Sequence, residues 1–224
     1  MSGPTASLTS EIQACSACDR LRSHCEEISV LKRRSYSSEN YWGKPVVGFG
    51  DPKAKVMVVG LAPGAHGANR TGRVFTGDRS GEWLYRALYR AGFSNQVHST
   101  NQEDGLILRG AYITCVVKCA PPGNKPTLEE QRRCVSYLKK ELDLFPGVRV
   151  WVALGQIAFE NLWPLLSSGA RRPKFQHGAR IPLEGKRLLL LSYHPSQQNT
   201  FTGKLTEEMF DRVFEECVAF TRKT

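Results

Sequence analysis

Gly60-Leu-Ala-Pro-Gly-Ala-His-Gly-Ala-Asn-Arg-Thr-Gly-Arg-Val-Phe-Thr-Gly-Asp78 is the stretch whose reading decides the fold. An apolar run, Lys55 to Leu61, leads into it, and an amphipathic run from Ser80 leads out. Strand, Gly-rich loop and helix in that order place the loop at the carboxyl edge of a sheet, where open α/β folds bind their ligands. After Gly60 the loop holds four glycines and one proline, with no carboxylate before Asp78. Such a loop can bring backbone N–H groups close to an anionic or carbonyl ligand. It is not a P-loop, because no Gly-Lys-Ser/Thr follows. Nor is it a dinucleotide fingerprint, because the glycine spacing differs. Its His66, Asn69, Arg70, Phe75 and Asp78 favour a working loop over a mere connection.

Outward from this loop the chain alternates strand and helix. Residues 8 to 34 read as helical, interrupted by Cys15-Ser-Ala-Cys18, and Ser35 to Pro45 reads as a loop. Lys55 to Leu61, Ala111 to Val117, Arg149 to Leu154 and Arg187 to Tyr193 read as strands. Ser80 to Ala91 is a helix with Trp83, Leu84, Ala87 and Leu88 on one face. Phe93 to Gly110 is polar and irregular. Ala120 to Pro126 is too rich in Pro and Gly for a helix or central strand. Thr127 caps the next helix, with Glu130 at the capping-box position, and that helix runs to about Leu144. Gly155 to Leu166 is helical, Gly169 to Leu183 and Gln197 to Lys204 are loops, and Thr206 starts the last helix. The expected fold is α/β, one domain over residues 1–224, with a four-stranded parallel sheet flanked by helices on both faces. The loops at 61–79, 118–126 and 193–204 then converge on one edge.

The 224 residues are enough for one large α/β domain. With 31 basic and 21 acidic side chains the net charge is +10, as expected for a protein that meets a polyanion, most often nucleic acid. A basic solvated surface would give the same count. No apolar run approaches the ~20 residues of a membrane span, and Met1 to Thr9 has no signal-peptide core, so the expectation is a cytoplasmic protein without a membrane partner. Seven cysteines in a reducing compartment point to metal ligands or free thiols rather than disulfides. Cys15, Cys18, Cys119 and Cys134 could hold zinc or an iron–sulfur cluster, and spacing alone leaves metal and chance about equal. Cys115, in a buried strand, reads most simply as a small core residue.

Taken together, Gly60-Leu-Ala-Pro-Gly64, Gly72-Arg-Val-Phe-Thr-Gly-Asp78, Val117-Lys-Cys-Ala-Pro-Pro-Gly-Asn-Lys-Pro126, Phe175-Gln-His-Gly178 and His194-Pro-Ser-Gln-Gln-Asn199 resemble the uracil-DNA glycosylase superfamily. The nearest resemblance is to its iron–sulfur branch, family 5. It implies a monomeric DNA-repair hydrolase that acts on double- and single-stranded DNA containing deaminated bases. Such an enzyme flips the base out and hydrolyses the N-glycosidic bond, leaving an abasic site. It also implies a [4Fe–4S] cluster on Cys15, Cys18, Cys119 and Cys134, the first two supplied by the segment about 8–34, with no metal in the chemistry.

A base inside a duplex cannot be attacked, so it must be extruded into a pocket. The resemblance implies that Phe75 stacks on that base, although a core Phe is a serious rival. His194 would donate to the base oxygen as negative charge grows there. Backbone N–H groups near Ala62 and Gly64 would help hold the base. Asn124 would read its amide edge or simply serve its turn. Asp78 stands just before a helix, so it is an N-cap, a catalytic carboxylate that holds the attacking water, or both. Failing Asp78, the loop backbone, His66 or Asn69 would have to activate water. Ser196 and Asn199 fit a minor-groove probe, and Arg70, Arg73, Lys118, Lys125 and Arg171 to Lys174 fit phosphate contacts, with a solvated surface nearly as good a reading for each.

Two departures from the family pattern broaden the expected substrates. Leu61 and Ala62 stand where well-known relatives carry a water-positioning carboxylate, and Cys115 stands where a sister branch has a uracil-reading Asn. The expectation is cleavage of uracil and of hypoxanthine or xanthine. The alternative is a non-catalytic nucleic-acid-binding module of the same fold, with a structural iron–sulfur or zinc site.

Overall fold

Three short apolar runs, Val56–Gly60 (β2), Val150–Leu154 (β4) and Arg187–Ser192 (β6), form the middle of the sheet, together with Ala111–Cys115 (β3). Nearly every residue of these strands is buried, which is the signature of parallel strands covered on both faces. The computed structural model describes residues 4–167 and 169–223; Met1 to Gly3, at the start of the stretch read as lacking a signal-peptide core, lie outside the described residues. The four strands pair in parallel, in the order β3-β2-β4-β6. Two antiparallel edge strands extend them. Phe49–Gly50 (β1) pairs with β3, and Arg180–Leu183 (β5) pairs with β6, so the sheet has six strands rather than the expected four.

The end of the stretch read as a loop, Gly169 to Leu183, is therefore a strand. Its half-exposed pattern and Pro182 hide it, and an edge strand tolerates both. It turns back into β6 through Gly185 and Lys186, both at positive φ. Gln197 to Lys204, also read as a loop, begins as the short helix Gln197–Phe201 (α7), capped by Ser196. The helical reading of 8 to 34 splits into Pro4–Gln13 (α1) and Asp19–Leu31 (α2), with the Cys15 to Cys18 segment as the break, and Ala68–Thr71 (α3) is a single helical turn inside the Gly-rich loop.

Alternate strand residues point to opposite faces and build two cores. Val56, Val58, Ile113, Val152 and Leu190 face Arg79–Arg90 (α4) and Glu207–Arg222 (α8), meeting Leu84, Leu88, Phe210 and Phe214. Met57, Val59, Trp151, Leu189 and Leu191 face the other side, where Leu128–Leu144 (α5) and Gln156–Leu166 (α6) supply Leu138, Phe159 and Leu162. Full burial of one such side chain contributes about 1.5–3 kcal/mol. α5 starts with the expected Thr127–Glu130 capping box. The same Glu130 accepts from the Arg20 guanidinium at 2.7 Å, which fastens α2 to α5. No described helix is long and apolar enough to cross a membrane.

Candidate functional site

At the carboxyl edge of the sheet a cavity of about 540 Å³ opens between three strand-end loops and the start of α4. The loop after β2 contributes Leu61, Ala62, Pro63, Gly64 and Phe75. Asp78, Arg79 and Ser80 come from the loop–helix junction, Gly123, Asn124 and Lys125 from the loop after β3, and His194, Ser196, Gln197 and Gln198 from the segment after β6. Asp78, His194, Asn124, Phe75, Ala62 and Gly64, singled out in the sequence, thus meet in one place.

Phe75 is held with φ +52°, a region a bulky side chain rarely adopts and one that costs about 1–3 kcal/mol. Its ring lies 5.9 Å from the His194 ring, centroid to centroid. Gly60 makes room for it, since a Cβ there would stand 2.6 Å from the ring tip. Asp78 caps α4: Oδ1 accepts from the Gly81 amide at 3.0 Å. Oδ2 is aimed instead at the loop, where a Cβ on Gly67 would come within 2.0 Å of it and one on Gly64 within 2.7 Å. The cap and a carboxylate oxygen facing the glycine loop therefore coexist on one side chain. Burial pushes the Asp78 carboxyl above the usual carboxylate range, against the pull of backbone N–H donors at the helix start.

Burial also lowers His194 to about 4, so its imidazole is neutral at neutral pH and carries one N–H donor. Asn199 Nδ2 donates to the His194 carbonyl at 2.8 Å, and the Asn199 amide donates to Ser196 Oγ at 3.3 Å. The Phe175-Gln-His-Gly178 motif braces the same strand end: His177 stacks on Tyr193 and its Nδ1 accepts from the Tyr193 amide at 3.1 Å. Asn124 sits at φ +58° in a 3-10 turn, a conformation Asn tolerates, and lines the cavity as well. The N–H groups of Ala62 and Gly64 have no acceptor among the described residues.

Several expected DNA contacts are corrected by the structure. Arg70 is buried, stacked on Tyr36, and donates to Glu39 and to the His66 and Gly77 carbonyls. Arg73 is buried and donates to Asp104, Ser99 and Thr76. Lys118 is buried against Glu141, with Nζ 2.7 Å from the carboxylate. These three cations shape loops and cannot reach phosphate. Asn199 faces inward onto His194, and Ser196 serves as the cap of α7 while still lining the cavity. Asn69 is fully buried and donates to the Cys25 carbonyl, and His66 pairs with Tyr41, so neither lines the cavity. Lys125, Arg171 and Lys174 are exposed and face solvent, where a polyanion can meet them, whereas the exposed Arg172 is ion-paired with Glu160 at 3.3 Å. Arg79 was missed; it opens α4 directly after the cap and reaches the cavity mouth.

Cys115 lies under the cavity floor rather than on its wall, in register with Gly60. Cys15, Cys18, Cys119 and Cys134 line a second, small cavity together with Ala17, Leu21, Pro45 and Tyr137. Cys134 Sγ already accepts from the Lys118 amide at 3.3 Å. Among the described residues, no group of three or more His, Cys, Asp or Glu side chains is drawn close enough to hold a metal ion.

A family model described as the uracil DNA glycosylase superfamily matches residues 47–217. The type-5 uracil-DNA glycosylase of Thermus thermophilus is 53% identical over 208 residues, 92% of this chain and 93% of that protein. The type-5 enzyme of Pyrobaculum aerophilum is 46% identical over 92% of this chain and 88% of its own length. A type-4 uracil-DNA glycosylase of Archaeoglobus fulgidus is 32% identical over 77% of this chain and 81% of its own.

Proposed function

This chain belongs to the uracil DNA glycosylase superfamily, and from that premise we propose how its site works. The protein is a uracil-DNA glycosylase, an N-glycosyl hydrolase of DNA repair. The observation that carries the mechanism is the meeting of Asp78, His194, Asn124 and Phe75 around one cavity at the sheet edge. The uracil nucleotide leaves the stack and its base enters the cavity, against the Phe75 ring. Asn124 and the Ala62 and Gly64 amides hold its polar edge. As the N-glycosidic bond breaks, its electron pair moves onto the base. The neutral His194 donates its N–H to the base oxygen where that charge collects. Asp78 Oδ2 faces the positive charge growing on the sugar and holds the water that attacks C1′. The water oxygen joins C1′ and one of its protons passes to the carboxylate; the base leaves as its anion and takes up a proton from solvent, Asp78 gives its own back to solvent, and an abasic site remains.

The pH dependence follows from these two groups. Asp78 must be ionised, so the single-turnover rate should rise with pH along one acid limb lying above the ordinary carboxylate range. His194 works as the neutral donor, so no second limb should appear near its ordinary value of about 6.5. A pH–rate profile that falls as pH rises through 6 to 7 would mean instead that imidazolium is the donor.

The site is also proposed to accept deaminated purines such as hypoxanthine or xanthine, in double- and single-stranded DNA. The roomy cavity supports this breadth. Oligonucleotides carrying uracil, hypoxanthine or xanthine, cleaved with alkali after incubation, test both statements. Strand breaks at uracil and at one purine lesion are expected. A gel shift without any strand break would favour a non-catalytic binding module.

Cys15, Cys18, Cys119 and Cys134 would hold a [4Fe–4S] cluster, whose role is to pin the N-terminal helices to α5 and the loop after β3. Four soft sulfur donors around one space, one of them already receiving a backbone N–H, fit such a group. The purified protein should be brown, with about four irons per chain. Metal analysis returning one zinc and no iron would overturn this.

A further inference from the structure

We propose that Arg70 is a positioning residue for uracil release: its guanidinium ties the two ends of the Gly-rich loop together and holds the Asp78 carboxylate in place beside a fixed cation. The proposal rests on the glycosylase reading above. Arg70 lies in α3, the helical turn within that loop, and is 8% exposed. Its Nε donates to the His66 carbonyl at 2.8 Å, and its Nη2 donates to the Gly77 carbonyl at 3.0 Å. Gly77 directly precedes Asp78, and His66 directly precedes Gly67, the residue at which Asp78 Oδ2 is aimed. One planar fork therefore grips both walls of the niche in which Oδ2 stands. Gly77 has φ +80°, and a Cβ there would lie 2.3 Å from the guanidinium, so the fork is seated tightly against the backbone. The fork is fixed from outside the loop as well: the Tyr36 ring lies 3.9 Å from it, and Glu39 accepts from Nη1.

The charge of Arg70 acts beside its geometry. Burial raises the Asp78 carboxyl; the Gly81 and Ser80 amides and the Arg70 charge oppose that rise, and Glu82 adds to it. Around Asp78 stand Glu82 and Arg79 of α4, with Lys125 and His194 across the base cavity. Glu39 and His98 stand across a second cavity of about 430 Å³, which Arg70, Gly77 and Asp78 also line. Lys125 and His98 are exposed and Arg79 is partly so, and water and salt screen their charges. His194 is neutral. Arg70 is held out of water, where a charge acts more strongly on its neighbours. Its partner Glu39 is 44% exposed at the side chain, so solvent weakens the opposing charge.

The test measures single-turnover uracil release against pH for the wild type, Arg70→Gln and Arg70→Lys, and for both substitutions on the Asp78→Asn background. Gln keeps an amide donor and drops the charge, whereas Lys keeps the charge and drops the fork. Arg70→Gln should be slowed about 10-fold or more at neutral pH. Its acid limb should move to higher pH, because a cation that favours the ionised carboxylate is gone, and the loss should shrink as pH rises. Arg70→Lys should keep the wild-type limb and lose rate by one factor at every pH. On the Asp78→Asn background neither substitution should slow release further, because Arg70 acts through that carboxylate. Glu39 faces solvent and the second cavity, so both variants should fold, which thermal unfolding checks. An Arg70→Gln limb that coincides with the wild type's, or losses that persist in full without the Asp78 carboxylate, would overturn the proposal. In either case uracil release by the wild type would leave the glycosylase reading standing. A wild type that releases no uracil at any pH would bring down both.

Discussion

Asp78→Asn should lower the single-turnover rate of uracil release by about 10²-fold or more, the scale of losing electrostatic or general-base help. Folding and DNA affinity should barely change. The substitution separates two functions that share one carboxylate. Oδ1 caps α4 through the Gly81 amide, and an Asn side chain keeps that acceptor. Oδ2, aimed at Gly64 and Gly67, supplies the charge, and Asn removes it. Asp78→Ala would confuse the matter, because losing the cap alone costs about 1 kcal/mol. The readouts are quench-flow release on a uracil duplex, thermal unfolding, and DNA binding at fixed salt. A variant with near-normal rate would leave Asp78 as a cap only. Water would then be held by the loop amides, since Asn69 is committed to Cys25 and His66 to Tyr41.

Lys118→Met should destabilise the fold by about 3–5 kcal/mol, the cost of leaving a buried partner charge uncompensated. Glu141 is 1% exposed, under the sheet edge, and takes donors from Lys118 Nζ, Thr114 Oγ1 and Tyr112 Oη. Without the ammonium it must stay charged on two hydroxyls or take up a proton. Replacing both partners, Lys118→Met with Glu141→Leu, should recover most of the loss, because the desolvation of two ions disappears along with their attraction. The Lys118 amide that reaches Cys134 is backbone and survives either change. Urea unfolding of the two single variants and the double variant gives the coupling. A single-variant loss below about 1 kcal/mol, or weakened DNA binding by folded protein, would return Lys118 to the surface role its charge first suggests.

The contrast between these two residues shows what the sequence carries. Asp78 was legible because it is the first acid after a Gly-rich strand-end loop and directly precedes an amphipathic helix. Its neighbours in space, His194 and Asn124, also follow strands, so the parallel topology brings them together. Lys118, Arg70 and Arg73 were misread because a cation's destination depends on partners 23 to 31 residues away, Glu141, Glu39 and Asp104. Nothing local in the chain distinguishes a buried ion pair from a phosphate contact. The central strands were legible as continuous apolar runs. The edges were not: β1 is two residues long, and β5 is half-exposed and carries a proline. The resemblance of the His194 to Asn199 motif suggests a DNA probe at Asn199; its grip on the His194 carbonyl emerges only from the fold of α7.

The most direct test of the central claim is uracil release in ¹⁸O-labelled water from a duplex carrying a single uracil, with both products weighed by mass spectrometry. The account predicts free, unlabelled uracil and one ¹⁸O atom on the abasic sugar, formed by wild type and almost abolished in Asp78→Asn. Protein that binds the duplex but releases no base, or label that appears in the uracil, would contradict it.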